Sequence, residues 1–301
     1  MHTPVLLKAV LEQLDPRPGQ KFIDATVDGG GHALAILERI QPGGKLLGIE
    51  SDGQLLQELE RKMQSEKRKV GLTLINDSYT NLKIIAEREG FVEADGILFD
   101  YGLSSWHYEQ SGKGFSFQKD EVLDMRYNTQ PGTWNVKHET AAEIINQYPR
   151  EEIEKILREY GEESFAEAIA RAIVKTRQAK PIISTFQLVA VIESAVPGWY
   201  RGGRRLHPAT KTFQALRIAV NHELENVESG LRQALTVVPA GGRVAAITFH
   251  SLEDRIVKTI FKSLSVSEFN ITKKPITASR EEIISNPRAR SAKLRVCTKL
   301  N

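Results

Sequence analysis

A short apolar stretch that runs into consecutive glycines constrains this chain more than any other part of its sequence. Residues 22–27 are mostly apolar and partly β-branched, which is typical of a parallel strand that is covered on both faces. Gly29, Gly30 and Gly31 follow, and because they lack a Cβ the chain can turn sharply while a ligand lies against main-chain N–H groups. Apolar residues with helical spacing come next and end before Pro42. The pattern predicts a strand, a ligand-binding turn and a helix.

An acidic residue at the end of the next predicted strand indicates the kind of ligand. Residues 45–49 predict that strand, and Glu50 follows them. An acid in this place usually holds a ribose, but the dinucleotide fingerprint needs a third glycine where Leu34 stands. Asp24 and Glu50 flank the turn, so we expect a cation such as S-adenosylmethionine, which carries a sulfonium and an ammonium, rather than a pyrophosphate. A turn without any ligand is the alternative.

Length and composition are those of an ordinary soluble protein. The chain has 301 residues, 41% of them hydrophobic and 26% charged, which suits about two globular domains. Its one cysteine, Cys297, fits a reducing compartment, and we expect it to be a small apolar residue in a late strand. No apolar run approaches a membrane span and no secretory pattern opens the sequence, so the prediction is a cytoplasmic protein without membrane contact.

Polar residues follow several predicted strands at the edge where an open α/β sheet binds ligands. Tyr79 follows strand three and stands where an adenine would lie, and Asp100 ends strand four, residues 94–100. His250 follows strand five, residues 243–249, and either lines the base pocket or caps the next helix. Asp100 either faces the reacting groups or caps a loop. The candidate catalytic residues are Asp100, Ser104, Ser105 and His250.

The middle of the chain differs from its two ends. Residues 109–135 are rich in glycine, serine and aromatic residues, which indicates a lid, and amphipathic helices follow, one of them opened by a capping box at Ser184. We therefore expect a helical insertion at residues 109–205 within an α/β domain formed by residues 1–108 and 206–301. Strands, insertion and a closing hairpin favour a class I methyltransferase fold, which is Rossmann-like with a mostly parallel seven-stranded sheet.

Basic residues cluster in two places that favour nucleic-acid binding. Residues 201–217 contain five Lys or Arg and no acid, and a second group lies at residues 288–299. Trp106, Trp199 and Tyr200 are candidates for stacking on an unpaired base. A solvated basic face is the alternative. His207 and His222 have no ligand spacing, so no metal site is expected. The candidate RNA-binding residues are Arg126, Arg201, Arg204, Arg205, Lys211, Arg288 and Arg290.

Motifs along nearly the whole chain resemble the bacterial MraW/RsmH family. They lie at residues 2–7, 30–32, 104–105, 114–117, 123–126, 160–163, 207–214, 249–257 and 286–290. The resemblance implies S-adenosylmethionine-dependent methylation of the 4-amino group of one cytidine in the decoding region of 16S ribosomal RNA, by a monomer or homodimer acting on the small ribosomal subunit. It also implies cofactor contacts at Gly30, Gly31, His32, Glu50, Tyr79, Asp100 and His107.

Several positions at the implied site depart from the family pattern. Asp28 replaces a glycine, Glu50 replaces the usual aspartate, and Tyr101 replaces a leucine. Trp106 and His107 stand where proline and glutamine are common. A retargeted or non-enzymatic RNA-binding paralogue is therefore the alternative function. A nicotinamide oxidoreductase is disfavoured by Leu34.

Overall fold

Two compact units make up the chain, and the first is discontinuous in sequence. The computed structural model describes residues 4–65, 70–127, 139–201 and 207–300. The first unit comprises Met1–Gly102 and Leu224–Asn301, and the second comprises Leu103–Glu223. The whole second unit therefore interrupts the first between Gly102 and Leu224.

The first unit alternates strands and helices along most of its length. Its N-terminal segment contains α1 (Leu7–Leu14), β1 (Lys21–Asp24), α2 (Gly31–Ile40), β2 (Lys45–Glu50), α3 (Gly53–Ser65), β3 (Leu72–Asn76), α4 (Leu82–Glu89) and β4 (Gly96–Asp100). Short 3-10 turns lie at Tyr79–Asn81 and Pro287–Ser291. The C-terminal segment contains α12 (Glu223–Val237), β5 (Arg243–Thr248), α13 (Ser251–Ser263), β6 (Phe269–Ile271), β7 (Ile276–Thr277), α14 (Arg280–Ser285) and β8 (Lys293–Lys299).

The described strands form one sheet in the order β3-β2-β1-β4-β5-β8-β6. β1 to β5 pair in parallel, and β8 runs antiparallel to β5 and β6. The prediction of a mostly parallel α/β sheet with seven strands is confirmed along this path, and the two-residue strand β7 adds an eighth on β8. Cys297 is free and buried in β8, as predicted.

Alternating strand residues cover the two faces of this sheet, because successive side chains of a strand point to opposite sides. Ile23, Ile97 and Phe99 face a core that α4, α12 and α13 share. Phe22 and Leu98 face the other core, which α1, α2 and α3 share. Both faces are thus covered, which explains why β1, β2 and β4 read as nearly continuous apolar runs.

The second unit is helical and has its own core. It contains α5 (Ser105–Glu109), α6 (Ala141–Gln147), α7 (Arg150–Glu159), α8 (Ala166–Ala179), α9 (Thr185–Ala195), α10 (Gly198–Arg201) and α11 (Ala209–Asn221). α8 buries Ala166, Ile169, Ala170 and Ile173, the i, i+3, i+4, i+7 stripe of an amphipathic helix. The predicted capping box at Ser184 is confirmed, and Gln187 Oε1 accepts from the Ser184 N–H at 3.3 Å.

The second unit extends beyond the boundaries that the sequence suggested. We expected the helix after residue 205 to belong to the α/β domain, but α11 packs against α6, α7 and α9. Phe213, Leu216 and Val220 bury their side chains in the helical core. This burial explains the boundary at Glu223, because α11 has its apolar face among helices and not on the sheet.

Within the described ranges of both units, none of the helices has the length and apolar character that crossing a membrane requires.

Candidate functional site

The turn between β1 and α2 is shaped by residues with positive φ. Asp28 has φ 47° and Gly30 has φ 78°, the left-handed conformation that most side chains disfavour. The Gly30 N–H donates to the Val27 carbonyl at 2.8 Å, and the Leu34 N–H donates to the Gly30 carbonyl at 2.9 Å. The turn is therefore tight, and α2 begins directly after Gly30.

The glycines of this turn serve different purposes. A Cβ on Gly30 would lie 2.6 Å from Leu59 Cδ1, and one on Gly31 would lie 2.4 Å from Pro4 Cγ. Both positions need glycine for close packing, as well as for any contact with a ligand. A Cβ on Gly29 would meet nothing within 4 Å. The open side of the turn is therefore at Gly29, which the sequence reasoning did not include among the site residues.

His32 joins the N-terminal segment to the carboxyl end of β4. Its Nε2 lies 3.0 Å from the Val5 carbonyl, to which it must donate, and its Nδ1 lies 3.6 Å from Asp100 Oδ2. Burial lowers the pKa of His32, although the neighbouring Asp100 raises it. A neutral ring with its proton on Nε2 donates to the Val5 carbonyl. These contacts support packing for His32 and not acid–base catalysis.

Glu50 uses its carboxylate to fix the loops on both sides of it. Oε2 accepts from the Asp28 N–H at 3.1 Å, and Oε1 accepts from the Asp52 N–H at 2.8 Å. Asp52 in turn caps α3 through the Gln54 N–H, at 2.9 Å. The Ser51 hydroxyl also donates to Oε1, at 3.4 Å, so the predicted ribose acid is held at the end of β2 and its Oε2 has a further lone pair for a hydroxyl.

Four carboxyl groups gather at the carboxyl ends of β1, β2 and β4. Burial raises the pKa of Asp24 to about 7 and that of Glu50 to about 7. Burial also raises the pKa of Asp28 and of Asp100, and the neighbouring acids raise the pKa of Asp28 further. The positive charge of Arg288 opposes the shift at Asp28. Several like charges brought together in this way are destabilising unless a cation joins them.

Thr26 connects the ends of β1 and β4. Its Oγ1 accepts from the Asp100 N–H at 2.6 Å, and the Asp24 carboxylate accepts from the Thr26 N–H at 3.2 Å. Asp100 Oδ1 accepts from the Gly102 N–H at 3.3 Å. This role of Thr26 was not predictable from the sequence, because threonine is a common residue at a strand end. For Asp52, the position just before a helical pattern was the available signal.

Tyr79 belongs to a group of aromatic rings beside the carboxyl cluster. Its ring lies edge-on to Phe99 at 5.7 Å and to Tyr101 at 5.9 Å, while Tyr101 stacks on Phe99 at 5.4 Å. A Cβ on Gly230 of α12 would lie 2.5 Å from the Tyr79 ring. Tyr79 remains partly exposed, so one part of its ring packs on the core and another part is open to a ligand.

His250 caps α13, which is one of the two roles predicted for it, and its place at a base pocket stays a prediction. Its Nδ1 accepts from the Glu253 N–H at 3.4 Å, and Glu253 Oε2 accepts from the Phe249 N–H at 2.8 Å. His250 Nε2 lies 3.0 Å from Glu253 Oε1. The two side chains form a capping box in which His250 occupies the position that serine or threonine usually takes. A catalytic role for His250 has no support from these contacts.

In the second unit, Ser104, Ser105 and His107 lie together on the short helix α5. Ser104 caps this helix, since its Oγ accepts from the Trp106 N–H at 3.4 Å, and Ser105 begins it. His107 is 4% exposed, and its ring lies 5.3 Å from the rings of Phe115 and Tyr127. Their roles in catalysis or cofactor binding stay predictions.

A buried polar network holds the segment that contains Tyr127. The Tyr127 hydroxyl donates to Glu223 Oε1 at 2.7 Å, and its N–H donates to Asn221 Oδ1 at 2.9 Å. Arg217 Nε lies 2.8 Å from Glu223 Oε1, and its side chain is only 13% exposed. Burial lowers the pKa of Arg217, but Glu223 and Tyr127 raise it by more, so the net direction is upward. The sequence did not predict this network, because Tyr127 lies far along the chain from its partners Asn221 and Glu223.

The candidate RNA-binding residues have different surroundings within their own units. Arg126 pairs with Asp124 at 2.7 Å, and Lys211 Nζ donates to the Glu162 carbonyl at 2.6 Å. Arg201 and Arg290 are exposed, and Arg288 is partly exposed. Arg204 and Arg205 lie outside the described residues.

Other members of the two basic clusters take part in internal ion pairs. Arg295 is buried and pairs with Asp254 Oδ1 at 2.7 Å, and Lys293 pairs with Asp254 Oδ2 at 3.0 Å. Arg217 pairs with Glu223 in the network above. Arg295 and Arg217 are largely buried in these pairs and are not available to phosphates, whereas the Lys293 side chain is 39% exposed.

Named relatives and a solved structure are similar to this chain. Ribosomal RNA small subunit methyltransferase H from Syntrophotalea carbinolica is 44% identical over 99% of this chain and 98% of its own length. The protein of the same name from Symbiobacterium thermophilum is 43% identical over 99% of this chain and 96% of its own. A solved structure from Clostridium thermocellum with an assumed rRNA-methylase activity matches with a TM-score of 0.50 at 10% identity, covering 100% of both chains. That likeness confirms the predicted methyltransferase fold.

The family comparison covers the chain almost from end to end. The model of the MraW methylase family matches residues 1–300, a range that includes both segments of the sheet unit and the whole helical unit. The glycine turn, the carboxyl cluster and the helical insertion described above all lie within this match. This chain belongs to the MraW methylase family.

Proposed function

We propose that this chain transfers the methyl group of S-adenosylmethionine to the 4-amino group of a cytidine in the decoding region of 16S ribosomal RNA. Family membership supports the methyltransferase activity, and the names of the relatives support a ribosomal RNA of the small subunit as substrate. The observation that carries the cofactor assignment is the carboxyl cluster of Asp24, Asp28, Glu50 and Asp100 beside the glycine turn.

The chemistry of this cluster suits the charge of S-adenosylmethionine. Carboxyl groups with raised pKa values become ionised when a cation relieves their mutual repulsion. The cofactor brings a sulfonium and an ammonium, and when bound it supplies an electrophilic methyl group. We propose that Glu50 accepts hydrogen bonds from the ribose and that the turn lies against the cofactor. The proposed contacts are Gly30, Gly31, His32, Glu50, Tyr79, Asp100 and His107.

Asp100 is the residue that we propose acts on the target amine. The lone pair of a cytosine amine is delocalised into the ring, which makes the amine a poor nucleophile. A carboxylate that accepts one of its N–H groups localises the lone pair and then receives the proton. Thr26 accepts from the Asp100 main-chain N–H and the Gly102 N–H donates to Asp100 Oδ1, so the backbone and one carboxylate oxygen of Asp100 are held in place for this role. Ser104 and Ser105 follow it closely in the chain, and we propose them as further polar contacts.

The proposed substrate also gives the protein a partner and a location. The small ribosomal subunit carries the target cytidine, and the subunit places the activity in the cytoplasm. We propose that exposed basic residues, among them Arg201 and Arg290, contact phosphates. The chain acts on this substrate as a monomer or a homodimer.

The direct test is mass spectrometry of small-subunit RNA from cells with and without this protein. We expect one decoding-region cytidine to lose a methyl group from N4 when the protein is absent, and to regain it when the gene is restored. An unchanged modification pattern would contradict the proposed target.

Asp100→Asn tests the proposed role of the carboxylate in the purified protein. The amide keeps the size and one oxygen but cannot become an anion, so we expect methyl transfer at saturating cofactor to fall by about 100-fold or more. Isothermal titration with S-adenosylmethionine measures cofactor binding in the same variant. Full methyl transfer by Asp100→Asn would remove Asp100 from this role.

A paralogue that binds RNA without catalysis is the second candidate. The replacement of a family glycine by Asp28, whose N–H binds Glu50, gives the turn of this chain its own geometry. Cofactor titration separates the two candidates, because a protein that only binds RNA would show no heat with S-adenosylmethionine and no methyl transfer.

A further inference from the structure

Trp199 is an exposed aromatic ring on the short helix α10. Its relative exposure is 64%, a large value for a residue type that is usually buried for most of its surface. Phe186 of α9, in the same unit, is also exposed, at 49%. An exposed indole is a large apolar surface, and the free energy falls when a flat partner covers it.

The base of this indole is held in a fixed position. Trp199 lies edge-on to Phe165 at 5.8 Å and to Tyr200 at 5.9 Å, and these two rings are themselves edge-on at 4.7 Å. The Tyr200 hydroxyl donates to both oxygens of the buried Glu163, at 2.8 and 2.9 Å. Glu163 Oε1 also accepts from the Phe165 N–H at 2.9 Å. One carboxylate thus fixes both supports of Trp199.

Tyr200 itself is only 2% exposed, so it cannot stack on a base, although its sequence position suggested that it might serve there together with Trp199. Its structural role as a support leaves Trp199 as the outward ring of this pair. A preorganised aromatic surface loses little conformational entropy when a ligand stacks on it.

The charge around Trp199 suits a polyanion. Arg201 is exposed and lies two residues further along the chain, and no acid occurs between residues 201 and 217. Lys211 bonds to the Glu162 carbonyl, which brings the beginning of α11 beside the loop that carries Glu163. A flat ring together with an exposed arginine two residues away in the chain is a combination that suits single-stranded nucleic acid.

We propose that Trp199 is a stacking platform for one unpaired base of the RNA substrate, with Arg201 contacting an adjacent phosphate. The inference rests on the proposed function for the identity of the partner as RNA. It adds the place on the helical unit where the strand is held and the form of the RNA that is recognised.

The test compares binding of a fluorescently labelled 12-nucleotide oligocytidylate with binding of a duplex RNA of equal length. Stacking of one base contributes on the order of five- to 100-fold in affinity. We expect Trp199→Ala to weaken single-strand binding by about tenfold, and Trp199→Phe, which keeps a smaller ring, to lie between the two. Duplex binding should change less than threefold, since its bases are already stacked.

Phe186→Ala is the matched control, because it removes another exposed aromatic ring of the same unit. We expect it to bind the oligonucleotide as the unaltered protein does. An equal loss in Phe186→Ala and Trp199→Ala would indicate nonspecific apolar contact and would overturn the proposal. So would an unchanged affinity in Trp199→Ala, or a loss that appears with intact small subunits but not with RNA alone, which would indicate a protein partner.

Failure of this inference and failure of the proposed function give different results. If the unaltered protein methylates small subunits and Trp199→Ala binds oligocytidylate normally, only the stacking platform is wrong. If the unaltered protein binds oligocytidylate through Trp199 but transfers no methyl group, only the proposed reaction is wrong. Thermal unfolding and cofactor titration of Trp199→Ala establish that the variant is folded.

Discussion

Single residues at the carboxyl ends of β1, β2 and β4 combine structural and chemical roles. Glu50 and Thr26 each accept a main-chain N–H from a neighbouring loop or strand, so the same side chains that form the cluster also hold it together. The cost of gathering these carboxyl groups is visible in their raised pKa values. Without a ligand the folded protein is less stable than it would be with neutral side chains at these positions. A bound cation would recover part of this lost stability.

Asp24→Asn should therefore stabilise the protein at alkaline pH. Burial raises the pKa of Asp24 to about 7, whereas an unfolded aspartate has a pKa of about 3.9. The folded state then binds more protons between these two values, so the free energy of unfolding falls as the pH rises from about 4 to 7. The asparagine keeps the Oδ1 acceptor for the Thr26 N–H and removes this loss. We expect a gain of about 1 to 3 kcal/mol at pH 8.

Denaturant unfolding without cofactor, at pH 5 and pH 8, measures this gain. A smaller gain is expected at pH 5, because the pH has then crossed only about a third of the interval between the unfolded and folded pKa values. A stabilisation of equal size at both pH values would contradict the electrostatic explanation.

The sequence predicted the site residues that lie directly at strand ends and missed those that act across the fold. Glu50 and Asp100 were identified because they follow apolar runs. Thr26 and Glu223 were not, because their importance comes from partners far away in the chain, at Asp100 and Tyr127. Two roles were predicted for His250, lining the base pocket or capping the next helix, and its contacts with Glu253 support the cap.

At the level of elements, caps and buried ion pairs determine where helices begin and which segments they hold. α6 begins with a capping box between Thr140 and Glu143, and α13 with one between His250 and Glu253. At the end of α11, Asn221 accepts from the Tyr127 N–H and donates to the Met125 carbonyl, and Arg217 pairs with Glu223, which accepts from the Tyr127 hydroxyl. The strand and helix types were readable from apolar periodicity, but the membership of α11 was not, since an amphipathic helix can cover a sheet or another helix.

Glu223→Ala should strongly destabilise the helical unit. It leaves the buried Arg217 guanidinium without its carboxylate and the Tyr127 hydroxyl without its acceptor. Removal of one partner of a buried ion pair costs about 3 to 5 kcal/mol. Chemical denaturation monitored by circular dichroism measures the loss. The double variant Arg217→Met with Glu223→Leu removes both charges and should recover most of it, whereas equal instability of both variants would show that the charge pair is not the cause.

At the level of the whole molecule, the sheet unit is assembled from two segments and the helical unit from one. Leu103–Glu223 has its own core and its own polar network, and all of its described helices lie in one continuous stretch. The sequence predicted the existence of an insertion from its change in composition. The predicted boundaries at residues 109 and 205 both lie inside the unit Leu103–Glu223, because the sequences of α5 and α11 do not indicate which neighbours they pack on.

Residues 103–223 should fold when produced alone. We expect a helical circular dichroism spectrum and a cooperative thermal transition, because the core of this unit is formed within the segment. Residues 1–102 alone serve as the comparison, and they should not fold cooperatively, since β4 lacks its partner β5. A fragment 103–223 that melts without a transition would show that its core depends on the rest of the chain.

The pairing of β4 with β5 has a consequence for biosynthesis. Asp100 and its partner Ile247 are 147 residues apart, a length that a ribosome adds in about 7 to 30 s. Throughout that interval β4, with its apolar residues Ile97 and Phe99, lacks its partner strand β5, and unpaired apolar strands promote aggregation. A translational pause within the insertion would lengthen that vulnerable period.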